Sequence, residues 1–352
     1  MPEQNTRVRV VIATPLAAEL CDRVAAVDPR VEVVVDQELL PPMRHPADFS
    51  GDPSWSRTEA QQARFDAMLD TADVLYGIPD VQPAALTRTV DANPGLRWVM
   101  TMAAGGGSQV MAANLSAEAH QRIVFTTSAG AHGIPLAEWA VFGLFCGCKE
   151  LPRLQRQQQA HEWPTRIVGR PIEGSTVLIA GLGGIGQQVA KRCKALGMTV
   201  LGVKRQVSDV ENVDEVHALD DLDQIVGRAD HIVLTLPGTP QTEKLVDAHL
   251  LALAKPGVTV VNVGRGTVID QDALVDALRT GQVGFAALDV FEREPLENDS
   301  PLWDLDNVLV SPHSGGLDAK EDARICDILC ENLRRHLAGR PLNNVVDPGQ
   351  GY

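Results

Sequence analysis

TVLIAGLGGIG, residues 176–186, is the stretch that decides the fold. A β-branched apolar run, Thr176–Ala180, feeds directly into G-x-G-x-x-G at Gly181, Gly183 and Gly186, and a helical pattern follows over Gln187–Leu196. Strand, glycine turn and helix in that order are the context in which this motif signifies a dinucleotide-binding unit. Gly181 permits the tight turn, Gly183 lets the backbone approach a pyrophosphate, and Gly186 lets the helix pack close to the strand. The start of the helix, with Gly184 and Ile185, turns free amides and the positive end of its dipole toward the phosphates.

Moving outward, the next strand, Val200–Val203, ends in Lys204-Arg205. An NAD site places a carboxylate there for the ribose 2′-hydroxyl. Two cations would instead attract a 2′-phosphate, so the reading favours NADP(H) over NAD(H); the alternative is a pair of solvated surface charges. Further runs, HIVLTL (231–236), VTVVNV (258–263), FAALDV (285–290) and NVLVS (307–311), are apolar without alternation. A parallel sheet covered on both faces requires such strands. Toward the amino end, strands are expected at Val8–Ile12, Val31–Val35, Val74–Tyr76, Trp98–Met102 and Ile123–Thr126, with helices over Pro15–Val27 and Thr58–Leu69. Leu40–Arg57, rich in proline, reads as a long loop. A helix from Pro135 to Leu151 is apolar nearly all round and is expected to be buried between domains or subunits. The last helix is expected over Ala319–Ala338.

At 352 residues the chain suggests two domains. Its formal charge of −15 argues against a nucleic-acid surface and an anionic membrane as partners. The six cysteines form no C-x-x-C pair and read as small apolar residues in a reducing compartment. The amino terminus runs into a strand with no signal-peptide core, and the longest apolar run, Trp139–Cys148, is too short to span a bilayer, so a cytoplasmic protein is expected. No metal site is expected, since His161-Glu162 lacks the second histidine of H-E-x-x-H, and no G-x-S-x-G elbow suggests a hydrolase.

Three segments beyond the glycine turn carry a resemblance: NVGRG (262–266), LDVFEREPL (288–296) and SPHSGG (311–316). Together with Leu236-Pro237 and Thr239-Pro240-Gln241-Thr242 they resemble the D-isomer-specific 2-hydroxyacid dehydrogenase family, including its glyoxylate/hydroxypyruvate reductases, most strongly over residues 135–316. The resemblance implies a catalytic set of Arg265 for the substrate carboxylate and 2-oxo oxygen, His313 as acid/base, and Glu294 to orient and charge the histidine. The chemistry suits these types. A guanidinium clamps a carboxylate and polarises the neighbouring carbonyl, histidine moves the proton, and a nearby carboxylate favours the imidazolium.

The resemblance also implies that Asp289 contacts the nicotinamide carboxamide, and that Leu236, Pro237, Val263, Gly264, Arg265, His313 and Gly315 line the cofactor. Thr242 is either a cofactor contact or a helix N-cap. On the substrate side, Ala104 and Gly105 match amide donors for the carboxylate, but Gly107 stands where relatives often carry aspartate. Relatives also often carry an asparagine shortly before the Ala137-Glu138 match, and Gly130–Leu136 has none. Trp163 lies where some relatives send a tryptophan into the partner's site; simple packing is the other reading. The 41–57 loop, with Phe49 and Trp55, either shapes the pocket or only packs.

The implied architecture is α/β, with a Rossmann dinucleotide-binding domain (134–313) inserted into a flavodoxin-like substrate domain (1–133 and 314–352), working as a homodimer. The expected activity is NAD(P)-dependent hydride transfer between cofactor and a small 2-oxo or D-2-hydroxy acid, with glyoxylate or hydroxypyruvate plausible substrates. Formate or phosphite oxidation on the same fold is a rival, against which Glu294 speaks because formate enzymes pair the histidine with glutamine. A dinucleotide-sensing corepressor scaffold, which keeps the triad but carries a long tail, is the non-enzymatic alternative.

Overall fold

The computed structural model describes residues 7–103, 105–164, 166 and 168–347. They divide into two compact units, one from the described parts of Met1–His132 and Leu317–Tyr352, the other Gly133–Gly316.

The first unit is built on a parallel sheet of β1 (Val8–Ile12), β2 (Val31–Val34), β3 (Val74–Tyr76), β4 (Trp98–Met100) and β5 (Val124–Thr126), in the order β2-β1-β3-β4-β5. That is the flavodoxin-like order. Its helices are α1 (Ala18–Ala25), α2 (Glu59–Leu69), α3 (Pro83–Ala92), α4 (Gly107–Ala112), α5 (Ala117–Arg122) and, from the far end of the chain, α12 (Glu321–Leu337). Ile325, Leu329 and Leu333 of α12 join Val10, Val11 and Ile12 in one core, so both ends of the chain are needed to bury it. Thr58 and Gln61 form a capping box that starts α2 where the sequence places it. Residues 40–57 form neither α-helix nor strand. The loop ends on Arg57, whose Nε donates to the Leu39 carbonyl at 2.6 Å and whose guanidinium pairs with Asp80 at 2.7 Å.

The second unit carries β6 (Thr176–Ala180), β7 (Thr199–Val203), β8 (Glu215–His217), β9 (His231–Leu234), β10 (Val258–Asn262), β11 (Val283–Leu288) and β12 (Val308–Val310). All pairings are parallel, in the order β12-β11-β10-β9-β6-β7-β8. Counted from β6 this is the doubly wound Rossmann order, extended by one strand. Its helices are α6 (Gly133–Cys148), α7 (Leu151–Gln159), α8 (Gly184–Ala195), α9 (Leu222–Ile225), α10 (Ala248–Leu253) and α11 (Gln271–Thr280). Separate apolar clusters cover the two faces of the sheet, so every residue of β10 is buried. This is why its sequence does not alternate. α6 lies close on one face through its glycines: a Cβ on Gly143 would stand 2.8 Å from that of Ala287, and one on Gly147 2.4 Å from Thr259 Oγ1.

Some expectations need correction. α6 ends at Cys148 instead of running to Leu151, because Glu150 takes the left-handed conformation at φ 52°. Phe142 and Ile134 of α6 are 50% and 44% exposed in the single chain. Trp163 is fully exposed, so it packs on nothing in its own unit. β8 was not foreseen; three residues with one β-branched side chain give too little signal. All six cysteines are free and buried. Among the described residues no helix is long and apolar enough to cross a membrane.

Candidate active site

The glycine turn sits between β6 and α8. Gly181 has φ 103°, a backbone conformation that a side chain would strain, and a Cβ there would meet Thr235 Oγ1 at 2.8 Å. A Cβ on Gly186 would fall 1.9 Å from the Gly181 carbonyl oxygen, so α8 can start only where no side chain intervenes. In front of Gly183 and Gly184 the space is open, with nothing within 4 Å of either added Cβ. No side chain caps α8 at Gly183, which leaves the first-turn amides from Gly184, Ile185 and Gly186 facing outward. An open cradle of uncapped amides fits a dinucleotide pyrophosphate. At the end of β7, Lys204 Nζ donates to Ser208 Oγ at 3.0 Å and Arg205 is exposed.

Beyond β9, Leu236 backs onto Gly264: a Cβ on Gly264 would approach the Leu236 carbonyl oxygen to 2.6 Å. The turn of Pro237–Thr242 is closed by the buried Thr242 hydroxyl, which donates to the Pro237 carbonyl at 2.6 Å and accepts from Thr239 N at 2.9 Å. No helix starts at Thr242, so the N-cap alternative is wrong; the next helix, α10, is capped by Asp247. The Thr242 hydroxyl shapes the loop from within.

After β10 the Asn262 side chain brackets the next turn. Its Oδ1 accepts from Gly264 N at 3.0 Å and its Nδ2 donates to the Arg265 carbonyl at 3.0 Å. Arg265 is thereby presented exposed, with one guanidinium nitrogen donating to the Gly264 carbonyl at 2.8 Å. Gly266 presses on the following loop so tightly that a Cβ would stand 1.8 Å from the Phe291 carbonyl carbon. The same loop holds Glu294, whose Oε1 accepts from Phe291 N at 3.0 Å. Lys244 lies 3.4 Å from both Asp270 and Glu292, and hydrogen bonds to these carboxylates raise its pKa.

After β12 comes His313. Its Nδ1 lies 2.7 Å from Glu294 Oε2, with the imidazole about half exposed. Its φ of 53° is unusual for a residue with a side chain, and the surroundings enforce it. The buried Asp289, at the end of β11, accepts three hydrogen bonds through Oδ1: Ser311 Oγ at 2.6 Å, Ser314 N at 2.9 Å and Gly315 N at 2.8 Å. Asp289 Oδ2 accepts none among the described residues. A local strain held by over-determined contacts is common at functional sites.

Residues 141–315 match the family model described as D-isomer specific 2-hydroxyacid dehydrogenase, NAD binding domain. The chain belongs to the D-isomer-specific 2-hydroxyacid dehydrogenase family. Solved relatives extend the match over nearly the whole chain. A family member from Xanthobacter autotrophicus, in complex with NADPH, is 27% identical with a TM-score of 0.76, covering 99% of this chain and 100% of that one. An NADPH-dependent glyoxylate/hydroxypyruvate reductase from Sinorhizobium meliloti, in complex with NADP, is 27% identical with a TM-score of 0.75, covering 98% and 100%. Among curated relatives, the D-3-phosphoglycerate dehydrogenase of Methanocaldococcus jannaschii is 35% identical over 236 residues, which is 66% of this chain and 45% of that protein. The chain thus spans less than half the length of that relative.

Within this family fold, the structure brings Glu294 to His313, and Asp289 to Ser311, Ser314 and Gly315, all in the second unit. Among the described residues no hydrogen bond or ion pair joins Arg265 to Glu294 or His313; its turn reaches their loop through Gly266. In the first unit Ala104 lies outside the described residues, and the carbonyl of Gly105 accepts from Ser108 Oγ at 3.0 Å. Asn262 and Ser311 stand in the quoted motifs but carried no assigned role. An asparagine two residues before a glycine at a strand end, and a serine three before another at 311 and 314, are the signals that could have pointed to them.

Proposed function

We propose that the chain catalyses reversible hydride transfer between NADP(H) and a small 2-oxo acid, giving the D-2-hydroxy acid. The observation that carries this reading is the 2.7 Å His313–Glu294 pair at the carboxyl edge of a doubly wound sheet that also holds the glycine turn. When bound, the nicotinamide supplies the hydride. As the carbonyl carbon is reduced, negative charge grows on its oxygen. Arg265 has donors beyond the one spent on Gly264, and these hold the carboxylate and that oxygen. Because Nδ1 of His313 faces Glu294, Nε2 is the atom left to deliver the proton. Glu294 fixes the ring, while Asp289, through its Ser311, Ser314 and Gly315 contacts, keeps the histidine loop in place and offers Oδ2 to the carboxamide. Gly181–Gly186 would cradle the pyrophosphate, with Leu236, Pro237, Thr242, Val263 and Gly264 along the cofactor, and Lys204 and Arg205 would take a 2′-phosphate. The Ala104 and Gly105 amides are assigned to the substrate carboxylate. Exposed Ile134, Phe142 and Trp163 support a homodimer. Glyoxylate and hydroxypyruvate are the substrates we favour.

The test is a crossed panel: glyoxylate, hydroxypyruvate and larger 2-oxo acids with NADPH and NADH, and D-3-phosphoglycerate in the oxidative direction. The reading requires turnover on one of the small 2-oxo acids with NADPH ahead of NADH. Tight dinucleotide binding with negligible turnover across the panel would refute it.

A further inference from the structure

Three arginines converge on a cavity at the other edge of the same sheet. Arg153 and Arg156 stand one turn apart on α7, and Arg170 lies on the chain leading to β6. With Glu150, Gly284 and Asn307 they line a space of about 260 Å³. Gly284 is near the start of β11 and Asn307 directly precedes β12, so the cavity sits at the amino edge of the sheet, whereas Asp289, Glu294 and His313 follow its carboxyl ends.

The charges do not balance. Glu150 Oε2 lies 3.2 Å from Arg153 Nε, and Asp306 lies 3.0 Å from Arg156. Arg170 has no carboxylate partner among the described residues; it reaches only the Gly257 carbonyl, at 3.5 Å. Arg153 Nε is shut off from solvent and makes no hydrogen bond, despite the nearby carboxylate. The nine-residue helix α7 adds to the excess, since no side chain caps its start after Glu150 and its positive end is turned to the same place. Three guanidinium groups against two carboxylates leave a local positive charge in a chain of net charge −15.

We propose that this cavity binds a small oxyanion, either phosphate itself or the phosphate group of a short metabolite. Guanidinium groups meet phosphate oxygens through paired hydrogen bonds, and the space admits a phosphate with a short carbon chain but not a dinucleotide. The site is separate from the hydride-transfer site and does not depend on its assignment.

Isothermal titration of the full chain with inorganic phosphate and with glycerol 3-phosphate tests this. The double variant Arg153→Met/Arg170→Met should weaken binding of both by about a hundredfold, near tenfold for each lost guanidinium. Lys204→Ser/Arg205→Ser, which alters the proposed cofactor-phosphate contacts, should leave it intact. Glu150→Gln removes a competing carboxylate and should tighten binding, a gain that a misfolded variant could not mimic. Tighter binding of glycerol 3-phosphate than of phosphate identifies a metabolite as the ligand, and equal binding identifies free phosphate. The proposal is overturned if phosphate affinity is unchanged in both the double variant and Glu150→Gln. It is also overturned if binding disappears in the Lys204/Arg205 variant, or if the double variant changes only the sedimentation behaviour, which would show that the arginines meet another copy of the chain.

Discussion

The two edges of the seven-stranded sheet use the same strands for opposite ends. At the carboxyl edge the chain leaves β6, β10 and β12 in turns that present something outward: the uncapped amides after β6, the Arg265 guanidinium after β10, the His313 imidazole after β12. At the amino end of β9 it closes over the strand. α6 lies on the sheet through Gly147, and His231, the first residue of β9, is 2% exposed with Cys148 Sγ 3.4 Å from its Nε2. The lesson is in the two histidines. His313 is half exposed beside a carboxylate, while His231 is buried, and burial drives its pKa down to about 4. Burial keeps His231 neutral at pH 7.

That contrast can be broken in four ways. Arg265→Met at the carboxyl edge should lower kcat/KM for a 2-oxo acid by about 10²–10³, with the fold unchanged by circular dichroism and thermal melting. Gly147→Ala at the amino edge should do the reverse. Its added Cβ meets the buried Thr259 hydroxyl, so stability should fall by up to about 3 kcal/mol in denaturant unfolding while KM stays unchanged.

The next test uses pH. The unfolded chain protonates His231 near its ordinary value of 6.5, whereas the folded chain resists until about 4. Between those values the unfolded state binds more protons, so stability falls as pH drops. From pH 7.5 to 5 the loss from this group is about 2 kcal/mol. His231→Leu should flatten that part of the stability curve, and an unchanged slope would show that the histidine is not sealed in solution. The smallest effect is expected at the edge of the cofactor site, where Lys204→Asp with Arg205→Ala should move the NADPH-to-NADH preference by about tenfold.

What could be read from the sequence follows from where the physical demand is local. The Gly181, Gly183 and Gly186 requirements are steric and lie within eleven residues of chain, so strand, turn and helix were legible together. The apolar runs showed a parallel sheet because both its faces are covered. Asn262 and Ser311 were not assigned because their partners, the Arg265 turn and the Asp289 carboxylate, are set by tertiary closure. Thr242 has the composition of an N-cap but closes a turn with no helix behind it. Glu150 gave no sign that it would break α6, since glutamate rarely takes the left-handed conformation it adopts here.

The central claim is that the His313–Glu294 pair moves the proton that accompanies hydride transfer. The direct measurement is NADPH-dependent reduction of glyoxylate or hydroxypyruvate by the wild type and by His313→Ala, with cofactor affinity followed by fluorescence on the same samples. The account predicts a fall in kcat of about 10²–10⁴ with cofactor binding retained. Turnover by His313→Ala at the wild-type rate would contradict it.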